Sequence, residues 1–134
     1  MTAAPIEARE RGWSFAEATI LRATAFIHLA TLAFGLLAPK ALFGAWGLPF
    51  QEPATFLRFA VVAIGALGLA LLRAVRLPRA EGRLLVETVA LIKLALVAVI
   101  VADTFAGRLP PQAPIAATLD FVLGIALFRA ARRR

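Results

Sequence analysis

Four long apolar runs, separated by short breaks rich in proline, glycine or arginine, leave this chain few ways to fold. Each run approaches or exceeds the roughly 20 residues that an α-helix needs to cross a bilayer. Four such spans with short connections use nearly all of the 134 residues. A single domain over residues 1–134 is therefore expected, an all-α integral membrane four-helix bundle with no room for a separate soluble catalytic domain. At 61% hydrophobic residues the chain is far more apolar than the roughly 45–50% of a soluble domain. Cysteine is absent, which removes disulfides, thiolate metal sites and cysteine nucleophiles together.

The breaks set the expected boundaries. Ser14 and Glu17 form a capping-box pattern behind Trp13, so helix one is expected over about 15–38. Its apolar run is longer than the roughly 7–15 residues of a signal-peptide core, and no small-x-small cleavage pattern follows. The connection 39–53 carries Phe43, Trp46 and Phe50 at spacings that suit either a short helix in the headgroup region or an irregular loop. With Trp13, these aromatics are the expected interfacial anchors. Helix two is expected over about 54–75, and Arg73 to Arg83, holding Pro78 and Gly82, reads as a compact basic turn. Helices three and four follow over about 84–102 and 114–130.

Charge gives the orientation. Arg9, Arg11, Arg22, Arg73, Arg76, Arg79, Arg83, Arg129, Arg132, Arg133 and Arg134 fall on one side, against Lys40, Arg58 and Arg108 on the other. The positive-inside rule then makes both termini cytoplasmic, in a multi-pass protein of the bacterial inner membrane. The net charge of +7 is spent on topology, so nucleic acid is not an expected partner. The segment Leu67–Arg76 also matches Leu123–Arg132 at an offset of 56 residues. A duplicated helical hairpin or shared Leu/Ala/Arg composition accounts for the match, and helices one and three show no counterpart in sequence.

Ionisable groups within the spans carry the functional reading, because each costs several kcal/mol in hydrocarbon unless paired or hydrated. His28, Lys93 and Asp120 lie near the middles of helices one, three and four, which makes a buried polar cluster. Lys93 and Asp120, on consecutive antiparallel helices, are the expected partners, either as an ion pair that fixes register or as part of a proton path or headgroup site. His28, flanked by Thr24 and Thr31, is expected to be a hydrogen-bonded packing residue, with a haem or chlorophyll ligand as the alternative. No other metal ligand is expected. Arg58 can snorkel to the headgroups, Glu87 is expected at the headgroup boundary or against Arg22, and Asp103 as a solvated helix end. Gly35, Gly65, Gly68 and Gly124 are the expected close-packing positions. No P-loop, dinucleotide fingerprint, HExxH or GxSxG motif occurs.

Phe43-Gly-Ala-Trp-Gly-Leu-Pro49, Leu57-Arg58, Gly65, Gly68 and Leu119-Asp120, in that order, give a chain that resembles the small four-helix bacterial membrane proteins of the DoxX-like group. That resemblance implies a four-helix membrane fold, and some such proteins are linked to quinone or sulfur redox complexes. The lack of cysteine counts against any thiol chemistry by analogy. No catalytic residue is expected. The expected role is a non-catalytic accessory, assembly or stabilising subunit that meets the lipid bilayer and either other membrane subunits or further copies of itself. A quinone- or lipid-binding redox component is the alternative, and a small proton or solute carrier the third.

Overall fold

In the computed structural model of the chain, residues 12–47, 50 and 55–133 are described. Arg9, Arg11 and Arg134, and residues 48–49 and 51–54 of the aromatic connection, lie outside them. The described residues form five helices and no strand: α1 (Phe15–Leu37), α2 (Pro39–Ala45), α3 (Thr55–Arg76), α4 (Arg79–Phe105) and α5 (Ala113–Arg132). All but α2 are long and apolar enough to cross a membrane.

The capping box at α1 is formed in both directions. Glu17 N–H donates to Ser14 Oγ at 3.3 Å, and Ser14 N–H donates to the Glu17 carboxylate at 3.0 Å. The helix stops where Ala38 leaves helical geometry (φ −142°, ψ 59°) and Pro39, which has no N–H to offer, opens the short, seven-residue α2 instead.

Two expected boundaries change. The basic segment Arg73–Arg83 is almost wholly helical: α3 runs to Arg76 and α4 begins at Arg79, so the turn is Leu77-Pro78 alone. Pro78 takes the cap position before α4, where a missing N–H costs nothing and a fixed φ favours the helix. Gly82 does not break α4; it seats the first turn. A Cβ there would lie 2.7 Å from the Ala74 carbonyl oxygen and 3.2 Å from the Trp13 ring. At its other end α4 runs on past Ala102 to Phe105 and stops before Gly107 (φ +70°). Its 27 residues span about 40 Å, longer than a hydrocarbon core of about 30 Å.

The long helices run antiparallel in sequence and pack as a ring in which α1 meets α3, α3 meets α4, and α4 meets α5, while α1 and α5 touch only sparsely. A core of Leu21, Ala25, Leu71, Ala74, Val86, Val89, Ala90, Leu127 and Ala131 fills the arginine-rich end. Phe15, Phe26, Phe34, Phe59, Leu91, Val99 and Phe105 point outward instead. An apolar exterior around a small-residue interior is the inverse of a water-soluble bundle and suits hydrocarbon on the outside. The chain thus has the architecture of a multi-pass membrane protein.

The two hairpins, α1–α3 and α4–α5, pack alike. Glu17, Leu21, Thr24, Ala25 and His28, the buried residues of α1 apart from Gly35, correspond to Gly82, Val86, Val89, Ala90 and Lys93, the buried residues of α4, at a constant separation of 65 residues. Val61, Gly68, Leu71 and Ala74 of α3 correspond in burial to Ala117, Gly124, Leu127 and Ala130 of α5, at the separation of 56 already visible in the sequence. Each hairpin is also tied at the same place. Trp13 Nε1–H donates to the Ala74 carbonyl at 2.9 Å, and an Arg79 N–H donates to the Ala130 carbonyl at 2.9 Å.

The glycines of α3 set its distance from α1. A Cβ on Gly68 would fall 2.9 Å from His28 Cβ and 3.0 Å from the Ala25 carbonyl oxygen, neither of which can swing aside, whereas nothing lies within 4 Å of one on Gly44. Gly68→Ala is expected to destabilise the fold by about 1–3 kcal/mol through overpacking. Gly44→Ala, in exposed α2, should be neutral or stabilising by up to about 1 kcal/mol. Thermal unfolding of both variants in detergent checks the order, and equal effects would contradict the close approach.

Candidate functional site

The polar residues of the long helices meet about 20 Å from the arginine-rich end, where tight packing gives way to a cavity. Lys93 Nζ donates to Asp120 Oδ1 across the α4–α5 interface. Gly124, one turn after Asp120, makes that reach possible: a Cβ there would sit 3.0 Å from Leu94 Cδ2 and 3.4 Å from Lys93 Cβ. Gly68 backs His28 in the other hairpin in the same way. Gly35 and Gly65 hold α1 and α3 together further along, one against Val61 and the other against Leu32.

The pair is lopsided. The Lys93 side chain is 4% exposed and that of Asp120 is 41% exposed, so the ammonium is sealed in while the carboxylate stands at an opening. His28 is oriented by its own helix. Its Nδ1 lies 2.6 Å from the Thr24 carbonyl, and a carbonyl only accepts, so Nδ1 carries the hydrogen. In the neutral ring Nε2 is then an acceptor. It has no partner within the described residues, and since no fully buried side-chain nitrogen or oxygen among them is left unbonded, Nε2 opens on the cavity. Thr24 Oγ1 is occupied elsewhere, donating to the Ile20 carbonyl at 2.8 Å.

The cavity measures about 110 Å³. Ile27, His28 and Thr31 of α1 line it, with Ile64 and Leu67 of α3, Lys93 and Leu96 of α4, Leu119 and Asp120 of α5, and Trp46 just beyond α2. Its walls obey the separations that relate the hairpins, since His28 corresponds to Lys93, Thr31 to Leu96, and Ile64 to Asp120. One half therefore supplies an imidazole and a hydroxyl, and the other an ammonium and a carboxylate. Leu119 is 52% exposed and Ile27 37% exposed, on the two sides of the sparse α1–α5 seam, so the cavity opens sideways at mid-depth. It offers an acceptor, a donor and an aromatic wall to a single small ring or a few waters. No group of three His, Cys, Asp or Glu side chains suited to a metal occurs among the described residues.

The remaining expected residues fall elsewhere. Glu87 does not meet Arg22. Its Oε1 accepts from Arg132 Nε at 3.0 Å and from Arg132 Nη2 at 2.7 Å, because the antiparallel α5 lays its last turn beside Glu87. Asp103, as expected, is a partly exposed helix end, and there it pairs with exposed Arg108 at 3.0 Å. Arg58 is exposed, in a groove at the opposite end with Lys40 and Phe50. Phe43 packs on Trp46 and edge-on against Phe50, at centroid distances of 6.0 and 5.8 Å, so these aromatics form one cluster whose Trp46 also closes the cavity. Trp13 is held inside the chain by its bond to Ala74 and by the Arg79 guanidinium, 5.6 Å from its ring.

One feature of this end was missed in the sequence. Glu17, recognised there only as a cap, is buried and paired with Arg79 at 3.1 Å. An acid on the inner face of one hairpin and an arginine opening the next, at equal depth, was the available signal.

No protein-family profile, curated protein or solved structure matches the chain.

The unequal exposure of the pair predicts unequal costs. Asp120→Leu strands the sealed ammonium and should destabilise by about 3–5 kcal/mol, whereas Lys93→Met leaves a carboxylate already at an opening and should cost less. The double variant should recover much of the loss. A double-mutant cycle on thermal stability in detergent measures this, and additive single effects would rule out a coupled pair.

Proposed function

We propose that the chain is a non-catalytic accessory or stabilising subunit of a larger assembly in the bacterial inner membrane, with both termini cytoplasmic. The observation that carries this reading is Asp120. A carboxylate at mid-depth with two-fifths of its side chain accessible is poorly served by hydrocarbon, and a neighbouring membrane protein across the α1–α5 seam would cover it. Ile27 and Leu119 stand at the same opening as exposed apolar rim positions.

A second reading is favoured by the cavity itself: the ring of a quinone-type or similar lipid-phase ligand entering sideways. In its hydroxyl-bearing quinol form such a ring can donate to His28 Nε2 and accept from Lys93, and its tail would remain in lipid. The DoxX-like resemblance points the same way.

Native mass measurement of the complex purified in mild detergent separates the two. The expected result is a species that exceeds the 14.3 kDa chain by at least one protein subunit and dissociates in an Ile27→Trp/Leu119→Trp variant. A single chain carrying a small aromatic ligand, lost in His28→Leu, would replace the first reading with the second.

Orientation is tested separately in the naturally cysteine-free chain. A cysteine at exposed Glu81 should be protected in intact cells from an impermeant thiol reagent, while one at exposed Ala106 should react. The opposite pattern would invert the proposed topology.

A further inference from the structure

The arginines of the crowded end differ in what they do. Arg79 is bound to Glu17 and to two carbonyls, Arg132 to Glu87, and Arg83 stands 3.9 Å from Glu87. Arg73 and Arg76, in the last turn of α3, have no acid or carbonyl partner among the described residues, and both are exposed. They lie three residues apart on one face of the helix, which places their side chains side by side. With Leu69, Leu72 and Leu77 they line a shallow groove on the bundle surface of about 350 Å³. The order along the helix is informative: Leu69 lies toward the membrane interior, Leu72 about one turn on, and Arg73 and Arg76 about 6 and 10 Å beyond Leu69 toward the helix end.

We propose that this groove is a binding site for an anionic phospholipid. The two planar guanidiniums take the phosphodiester through paired N–H donors, and the first part of an acyl chain lies over Leu69 and Leu72. Charge complementarity selects the head group. A zwitterionic lipid brings a cation to within reach of two arginines, whereas a lipid with net negative charge does not. The leucines below the charges select a lipid over free phosphate, because a soluble anion gains nothing from an apolar floor. The inference rests on the membrane-spanning architecture and is independent of the cavity at His28, on the other side of the core.

The test uses the full chain in mild detergent, exchanged against equimolar phosphatidylglycerol and phosphatidylcholine of identical acyl chains, with lipids retained on the protein counted by native mass spectrometry. The protein should retain phosphatidylglycerol preferentially, and Arg73→Gln/Arg76→Gln should lower that preference about thirtyfold, since each arginine near an anionic surface contributes about a fivefold effect. The single variants, expected to lower it about fivefold each, keep the test decisive if the double variant folds poorly. Leu69→Gln should lower retention of the lipid as well. Equal retention of both lipids by the unaltered chain would overturn the site. So would an equal loss in Arg58→Gln/Arg108→Gln at the opposite end, because the preference would then follow net charge. Displacement of the lipid by inorganic phosphate at matched concentration would also overturn it.

Discussion

One guanidinium gathers the long helices at a single point. Arg79 opens α4, pairs with the buried Glu17 of α1, and donates to the carbonyls of Ala130 in α5 and Arg133 just beyond it. It also faces the ring of Trp13, whose N–H is bound to α3. Glu17 could not stay in this place alone, since a buried carboxylate without a cation carries a desolvation penalty of several kcal/mol. The same contacts satisfy carbonyls in the final turns of α3 and α5 that have no partner within their own helices. With that end fixed, the small and branched residues below it pack into a continuous core.

The opposite end is held by less. Gln112 donates to the Gly47 carbonyl at 3.3 Å, and Phe43, Trp46 and Phe50 pack on one another, with Trp46 in the cavity wall. The cavity forms where the tightly tied half ends, and polar residues line it because glycines on the neighbouring helices let them in. Gly68 makes space beside His28, and Gly124 beside Lys93. Both hairpins use one packing scheme with different chemistry at equivalent positions. The site is therefore a difference between two similar halves: imidazole and hydroxyl face ammonium and carboxylate.

Much of the fold could be read from the sequence because the controlling rules act over short distances. The length of the apolar runs, the Ser14–Glu17 cap and the placement of prolines gave four long helices, and equal depth suggested Lys93 and Asp120 as neighbours. The misjudged features depend on partners far along the chain. Pro78 and Gly82 look like a break in sequence, but they start a helix, because Gly82 admits Trp13 and the Ala74 carbonyl from the first hairpin. Glu87 finds Arg132 only once α5 has folded back. The correspondence of α1 with α4 was hidden for a related reason. A buried position demands a fitting volume and a satisfied polar group, not an identity, so Glu17 can correspond to Gly82 and His28 to Lys93 without leaving a trace in the residue letters. Trp46 in the cavity wall was equally out of reach, since its place depends on how α2 folds over the bundle.

The exposure of the charged pair limits how anything can act on this site. Lys93 is closed off by α5 and its own carboxylate partner, so a molecule arriving from the seam meets Asp120, Leu119 and Ile27 first. To reach the ammonium it must displace or bridge the carboxylate, whereas His28 Nε2 already faces the cavity. A partner helix that merely covers Asp120 leaves the pair intact and lowers the cost of its exposed side. A ring that enters must satisfy His28 and share Lys93 with Asp120, which restricts it to ligands bearing both a hydrogen-bond donor and an acceptor. Under the two proposed readings, the same geometry would make the carboxylate the point of contact for a neighbouring subunit and the imidazole the point of recognition for a ligand.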